Sequence, residues 1–129
     1  MSQFRIYGHA NFLRGRTRSI SDALHAAAVA GLAIPEEKRF HRFFPLEDGY
    51  FFTPPDRSEA YLIIECVLFE GRSVGTKKAF YQALLQRLEG DCSISAQDIE
   101  FTFIETPRHD WFIRGVPGDE LSLNYTVNR

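Results

Sequence analysis

The side chains that most often hold a metal or attack a substrate are sparse here: four histidines and two cysteines in 129 residues. His9, His25, His41 and His109 fall at no metal-ligand spacing, and neither Cys66 nor Cys92 lies near enough to complete a site, so no metal is expected. Cys66 sits inside an apolar run and reads as a small buried hydrophobe; two cysteines make no disulfide framework. The chain has no Gly-rich phosphate loop, and no G-x-S-x-G turn supports a Ser-His-Asp arrangement. RFHRFF, residues 39–44, mixes bases with aromatics. In a chain of net charge −2 and pI near 6.1 it reads as a strand with one wet face, and no nucleic-acid partner is expected.

Such chemistry as exists must be positioned by one small core. The length suits a single domain, 1–129. The 44% hydrophobic and 25% charged residues are those of an ordinary soluble protein. Twelve phenylalanines argue for a large aromatic core or a buried subunit interface. The opening MSQFRIYGH is neither an apolar signal core nor a basic amphipathic stretch, and no run is long enough to span a membrane, so a cytoplasmic location is expected.

Phe4 and Ile6 alternate with Arg5 and Tyr7, which predicts a strand from Ser2 to Gly8. Asn11 is placed to cap a helix whose stripe is Ile20, Ala23, Leu24, Ala27 and Ala28, with Gly31 at its end. Gly15 and the Arg14, Arg16, Arg18 cluster weaken its first turns. A second strand is expected over Arg39 to Phe44, ended by Pro45, and a loop over Pro45 to Ser58. Tyr61 to Phe69 is nearly continuously apolar, as a central strand would be. A helix over Val74 to Leu88 follows, with Phe80, Ala83, Leu84 and Leu88 at helical spacing. Ile99, Phe101 and Phe103 mark a fourth strand, and Leu121 to Thr126 suggests a last one.

Offset by sixty residues, the halves agree in kind: Phe4 falls on Ile64, Ile20 on Phe80, Leu24 on Leu84, Ile34 on Ile94 and Phe43 on Phe103. The shared order of strand, helix, turn and strand points to an internal duplication. The predicted fold is α/β, with two consecutive β-α-β units (1–59 with its loop, and 60–106) and a tail over 107–129. They form a four-stranded mixed sheet with two helices on one face. The other face stays apolar with no third element to cover it, so self-association is expected.

That layout, with a strand at the extreme N-terminus, resembles the tautomerase superfamily. The stretches that carry the resemblance are this strand, SDALHAAAVAGLAIPEEKRF, FEGRSVGTKKAFYQALLQRL and ISAQDIEFTFIETPRHDW, roughly half of the chain. They look most like the longer members, malonate semialdehyde decarboxylases and cis-3-chloroacrylic acid dehalogenases. The resemblance implies a cofactor-free homotrimer acting on a small carboxylate-bearing molecule, with pockets ringed around the N-termini. In such enzymes the residue after the initiator Met is a catalytic proline; here it is Ser2. Serine is small enough for Met1 to be trimmed, which would leave a primary amine with an ordinary pKa of about 7.7–8.0. Burial beside an arginine would lower that value and suit the amine to act as a base, and an amine can also form an imine with a carbonyl.

Arg72 matches an arginine with which the family holds a substrate carboxylate, a task suited to a guanidinium fork that does not titrate. Relatives carry another arginine two or three residues earlier, where this chain has Phe69 and Glu70, so a two-arginine clamp is not expected there. Lys38, beside Glu37, falls where decarboxylase relatives have a water-orienting acid. His25 matches a histidine of some relatives, and Trp111 an aromatic pocket wall. Arg114, or Arg39 or Arg42, is a candidate for the missing positive charge. Two readings remain open at this point: an altered tautomerase working through the Ser2 amine with Arg72 as anchor, and a non-catalytic trimer that has kept the fold alone.

Overall fold

The computed structural model describes residues 2–122. Strand β1 (Ser2–His9) buries Ser2, Phe4 and Ile6 on one face, as its alternation demands. A one-turn helix α1 (Ala10–Leu13) follows, and the chain turns at Gly15, φ 80°, into α2 (Thr17–Leu32). Asn11 therefore lies exposed within α1, and α2 starts behind Arg16 with no side-chain cap. Nor does α2 end at Gly31; the left-handed residue is Ala33, φ 56°. Gly31 serves packing instead. A Cβ there would stand 2.7 Å from the Cα of Phe80, so glycine lets α2 close against α3 (Val74–Cys92).

Strand β2 (His41–Leu46) begins later than expected and runs through Pro45. It lies at the edge of the sheet, whose order is β2-β1-β3-β4, with β3 at Leu62–Phe69 and β4 at Ile99–Thr106. An edge strand has one side without a ladder, which is where a residue lacking an N–H is tolerated. Helix α3 starts at Ser73, whose Oγ accepts from the Thr76 N–H at 3.1 Å, and it runs past Leu88 to Cys92. Of the strand expected over Leu121 to Thr126, residues 123–126 lie outside the described residues, and Leu121 and Ser122 are irregular.

The sheet is mixed, as expected: β1 pairs parallel with β2, β3 parallel with β4, and β1 and β3 meet antiparallel in the middle. Both long helices share its inner face. Ile20, Leu24, Leu32, Phe80, Leu84 and Leu88 meet Phe4, Ile6, Ile64 and Cys66 there in one core, each large side chain contributing about 1.5–3 kcal/mol by burial. The sixty-residue repeat is visible in the geometry of the first strands and of the helix ends. β1 and β3 span residues 2–9 and 62–69, and the left-handed helix ends are Ala33 and Ser93 at φ 56° and 57°. Ile34 and Ile94 donate to the carbonyls of Ala28 and Leu88 at 3.4 and 3.0 Å. Among the described residues, no helix is long and apolar enough to cross a membrane.

The outer face carries a Tyr7–Phe44 stack with centroids 4.7 Å apart, an Arg5–Glu65 ion pair at 3.6 Å and half-buried Ile63, Val67 and Ile104. It is not left wholly bare by the chain itself. Phe69 belongs to this face by alternation, yet it is only 1% exposed, because the tail folds back over it. A 3-10 turn at Arg108–Asp110 leads there into a hairpin of β5 (Phe112–Ile113) and β6 (Val116–Pro117).

Candidate active site

The topology gathers the ends of five elements at one end of the sheet. β1 begins there, and because β3 is antiparallel to it, Ser2 pairs with Leu68 near the exit of β3. β4 finishes there, α2 delivers Leu32, and α3 starts. Ser2 is 4% exposed and faces the helical layer with Phe4. Arg72, in the bend between β3 and α3, is 7% exposed, far from the solvated arginine common before a helix. Its Nη2 donates to the Leu32 carbonyl at 3.3 Å, where the negative end of the α2 dipole favours a cation. The Arg72 charge also reaches Cys66. Burial pushes that thiol well above its ordinary value, while Arg72 pulls the other way.

At Arg72 opens a cleft of about 720 Å³, lined also by Glu70, Gly71, Glu105, Pro107, Arg108, His109 and Asp119; Ser2 and Trp111 are not among its lining residues. Glu105 is neutralised by Lys77, Nζ to Oε1 2.5 Å. Trp111 stands behind the wall. Its Nε1 donates to Thr106 Oγ1 at 2.5 Å, and its ring meets Phe69 edge-on at 5.3 Å. The guanidinium carbon of Arg108 lies 5.3 Å from the Phe69 ring centre. Arg108 donates to the carbonyls of Gly118 at 3.2 Å and Leu121 at 2.9 Å. Gly118 makes that closure possible, since a Cβ on it would meet the Arg108 carbonyl oxygen at 2.1 Å.

Of the residues expected at the site, Ser2 and Arg72 come to this end, and Trp111 flanks it through Phe69. His25 lies elsewhere in the core, with its Nε2 2.7 Å from the Glu36 carbonyl. A carbonyl only accepts, so Nε2 carries the proton in that bond. His25 packs at 6.0 Å against His41, whose Nδ1 is 2.7 Å from Ser21 Oγ. Burial first, then His25 and Arg39, push the His41 pKa down to about 4, with Asp22 opposing. Lys38 is half-buried in the α2–β2 connection, where its N–H closes a turn onto Pro35. Arg114 is exposed in the β5–β6 turn at φ 51°. Arg39 and Arg42 line a separate hollow of about 380 Å³ with Gln3 and His41, and Arg39 is bound to Asp22 at 2.6 Å. The cation that does line the Arg72 cleft is Arg108, which sequence reasoning passed over. Its one signal is position, directly after Pro107 where β4 ends. Among the described residues, no three His, Cys, Asp or Glu side chains are grouped to hold a metal.

Two β-α-β units sharing one mixed four-stranded sheet make the fold of the tautomerases. The family model described as tautomerase enzyme matches residues 38–114, and the chain belongs to that family. The chain is 22% identical over 109 residues to the probable tautomerase YrdN of Bacillus subtilis (strain 168), covering 78% of this chain and 84% of that protein. A crystal structure of malonate semialdehyde decarboxylase, described with decarboxylase and hydratase activities, superposes with a TM-score of 0.81 at 26% identity. It covers 92% of this chain and 99% of its own. The wild-type F6 fused 4-OT, an asymmetric trimer, superposes at 0.78 with 20% identity, covering 91% and 96%, a likeness of fold alone.

Proposed function

We propose that the chain is a cofactor-independent tautomerase of keto and enol acids, in which the α-amine of Ser2, freed by removal of Met1, does the work of the family's proline. The observation that carries this reading is the burial of Arg72 beside the cleft, at the end of the sheet where Ser2 begins. A buried guanidinium holds a carboxylate by charge-assisted hydrogen bonds, worth about 1.5–3 kcal/mol each. An amine with a pKa near or below 8 can then take the enol proton and return one to the adjacent carbon. Pro107 gives the cleft an apolar wall for the rest of the substrate, with Trp111 and Phe69 packed together behind it. Tautomerisation moves a proton and no electrons, so these groups suffice. His25, Lys38 and Arg114 have no assigned step in this reading.

The assembly that goes with it is a homotrimer in the cytoplasm. The half-buried outer sheet face, with Tyr7, Phe44 and Val67, suits a contact between copies, and the fused 4-OT that shares the fold is a trimer. One observation favours a second reading, a trimer without catalysis. Phe69 is buried beneath Trp111, so part of the wall is closed by aromatic packing.

The deciding experiment measures ketonisation of phenylenolpyruvate by protein whose N-terminus has been checked by mass spectrometry. Turnover that survives Ser2→Ala but falls on acylating the amine or on Arg72→Ala supports the enzyme. Absence of turnover in correctly trimmed protein, with none gained by Ser2→Pro, leaves the non-catalytic trimer.

A further inference from the structure

We infer that the end of the molecule remote from Arg72 is a self-complementary surface on which two copies of the chain pair about a two-fold axis. The arginine turn of each copy meets the acidic, aromatic loop of the other, whether or not the chain is a catalyst. Strands β1 and β2 run parallel, with His9 opposite Leu46, so both leave the sheet at this end. β1 leads into α1 and the turn to α2, and β2 leads into the loop over residues 47–61. Helix α1 contributes to two hollows here. In one, of about 280 Å³, Ala10 and Leu13 join Arg14, Thr17 and Glu47. In the other, of about 290 Å³, Asn11 joins His9, Asp48, Thr53 and Glu59. Arg57 also lines the second hollow, but it is already paired with Asp56 and Glu100.

Both sides carry charge that their own chain leaves unpaired. Arg14, Arg16 and Arg18 are exposed around the Gly15 turn, at the positive end of the α2 dipole, and the first turn of α2 holds no acid. That arrangement costs stability within one chain. Arg16 is pinned, its Nη1 donating to the Phe12 carbonyl at 2.8 Å and its guanidinium carbon 4.5 Å from that ring centre. Among the described residues Arg14 makes no ion pair, although it shares a hollow with Glu47, and neither do the exposed Asp48 and Glu59.

The loop adds apolar surface. Tyr50 and Phe52 are 78% and 90% exposed, while Phe51 between them turns inward, 4.8 Å from His9 and 5.7 Å from Tyr61. The N–H and Oγ of Ser58 donate to the buried Asp98 at 2.8 and 2.5 Å and tie the loop down. Aromatics presented on a fastened loop lose little freedom on docking. Each can bury about 150–250 Å². Two from each copy therefore supply about half of the roughly 1,600 Å² in a stable interface. Because both signs of charge lie on one surface, a second copy satisfies the arginines and the acids together. A polyanion or a basic peptide would satisfy only one of them.

The test is sedimentation equilibrium of the full chain at low salt, where exposed charges are least screened. Wild type should have twice the mass of Arg14→Glu and twice that of Asp48→Lys. An equimolar mixture of these two variants should regain the doubled mass, because each reversed charge then faces its opposite across the two-fold axis. Phe52→Ser, at a side chain that is almost fully exposed, should weaken the pairing about tenfold or more. Urea unfolding checks that each variant is folded, and Phe52→Ser decides alone if a charge reversal is not. Equal masses for wild type and the folded variants overturn the inference. So does a mixture that stays at the lower mass, since the charges then do not meet each other. A variant mass one third of the wild-type mass overturns it as well, because it places this end inside a trimer contact instead of between paired copies.

Discussion

The Nη2 of Arg72 donates to the carbonyl of Leu32 at 3.3 Å, so the residue that enters α3 is fastened to the last turn of α2. The bond supplies a donor to a buried carbonyl at a helix end and fixes the guanidinium that faces the cleft. Arg72→Ala removes both. Leaving the Leu32 carbonyl without this donor should cost about 1–3 kcal/mol, read as a lower urea midpoint with an unchanged slope. An unchanged midpoint would show that water or a neighbour replaces the guanidinium without loss.

Gly31 determines how closely the two helices approach. Alanine is the better helix former by about 1 kcal/mol, so on an exposed helix Gly31→Ala would stabilise. Here the new Cβ meets the backbone of Phe80 at 2.7 Å, and backbone cannot step aside as a side chain does. The expected net result is destabilisation by about 1–3 kcal/mol in denaturant unfolding. A gain in stability would mean that α2 and α3 can separate at this point without loss.

His41 makes stability depend on pH in a defined window. Its folded pKa, about 4, lies below the unfolded value of 6.5, so between these values the unfolded chain binds more protons. The stabilising contribution is complete above pH 6.5 and is lost as pH falls towards 4, a change on the order of 2–3 kcal/mol. The groups around it are His25, Arg39, Asp22 and Ser21. Urea unfolding at steps from pH 7.5 to 4 should show the decline. His41→Gln, which keeps an acceptor for Ser21, should flatten it, and an equally steep decline in that variant would assign the effect to another group.

The two thiols should separate cleanly. Cys66 is fully buried with its pKa pushed far up by burial, so its thiolate is scarce and out of reach. Cys92 is half-buried, its Sγ 3.5 Å from the Ser19 carbonyl, and burial followed by Asp91 and Asp22 raises its pKa as well. With a disulfide reagent at pH 8, Cys92 should react slowly in the native protein and Cys66 only on unfolding. Rapid native labelling of Cys66 would contradict the packing of β3 against the helices.

The fold was legible because its signals are local and repeated. Phe4 and Phe101 alternate with polar neighbours, Tyr61 to Phe69 is a nearly continuous apolar run, and the helix stripes fall at turns that both halves share. What misled was punctuation. Gly31 and Pro45 were read as stops, yet Gly31 is small for the sake of Phe80, and Pro45 is tolerated because β2 is an edge. Both reasons are tertiary and leave no trace in the neighbouring residues. At the site, Arg72 could be named in advance, but its depth depends on Leu32, forty residues away. Arg108 was passed over because its place over Phe69 is set by a tail whose return no periodicity announces.

The structural repeat has a consequence for how the chain assembles. The antiparallel seam of β1 with β3 and the contact of α2 with α3 run through the middle of the core, so the first strand-helix-strand stretch and the second are related as the subunits of an obligate dimer. Neither can close a core without the other. The loop between β2 and β3, residues 47–61, therefore acts as a tether that turns a meeting of two molecules into an event within one, at an effective concentration in the millimolar range. A backbone cut in that loop should leave the native protein intact while making its refolding depend on the concentration of the fragments, a dependence the unbroken chain does not have at this step.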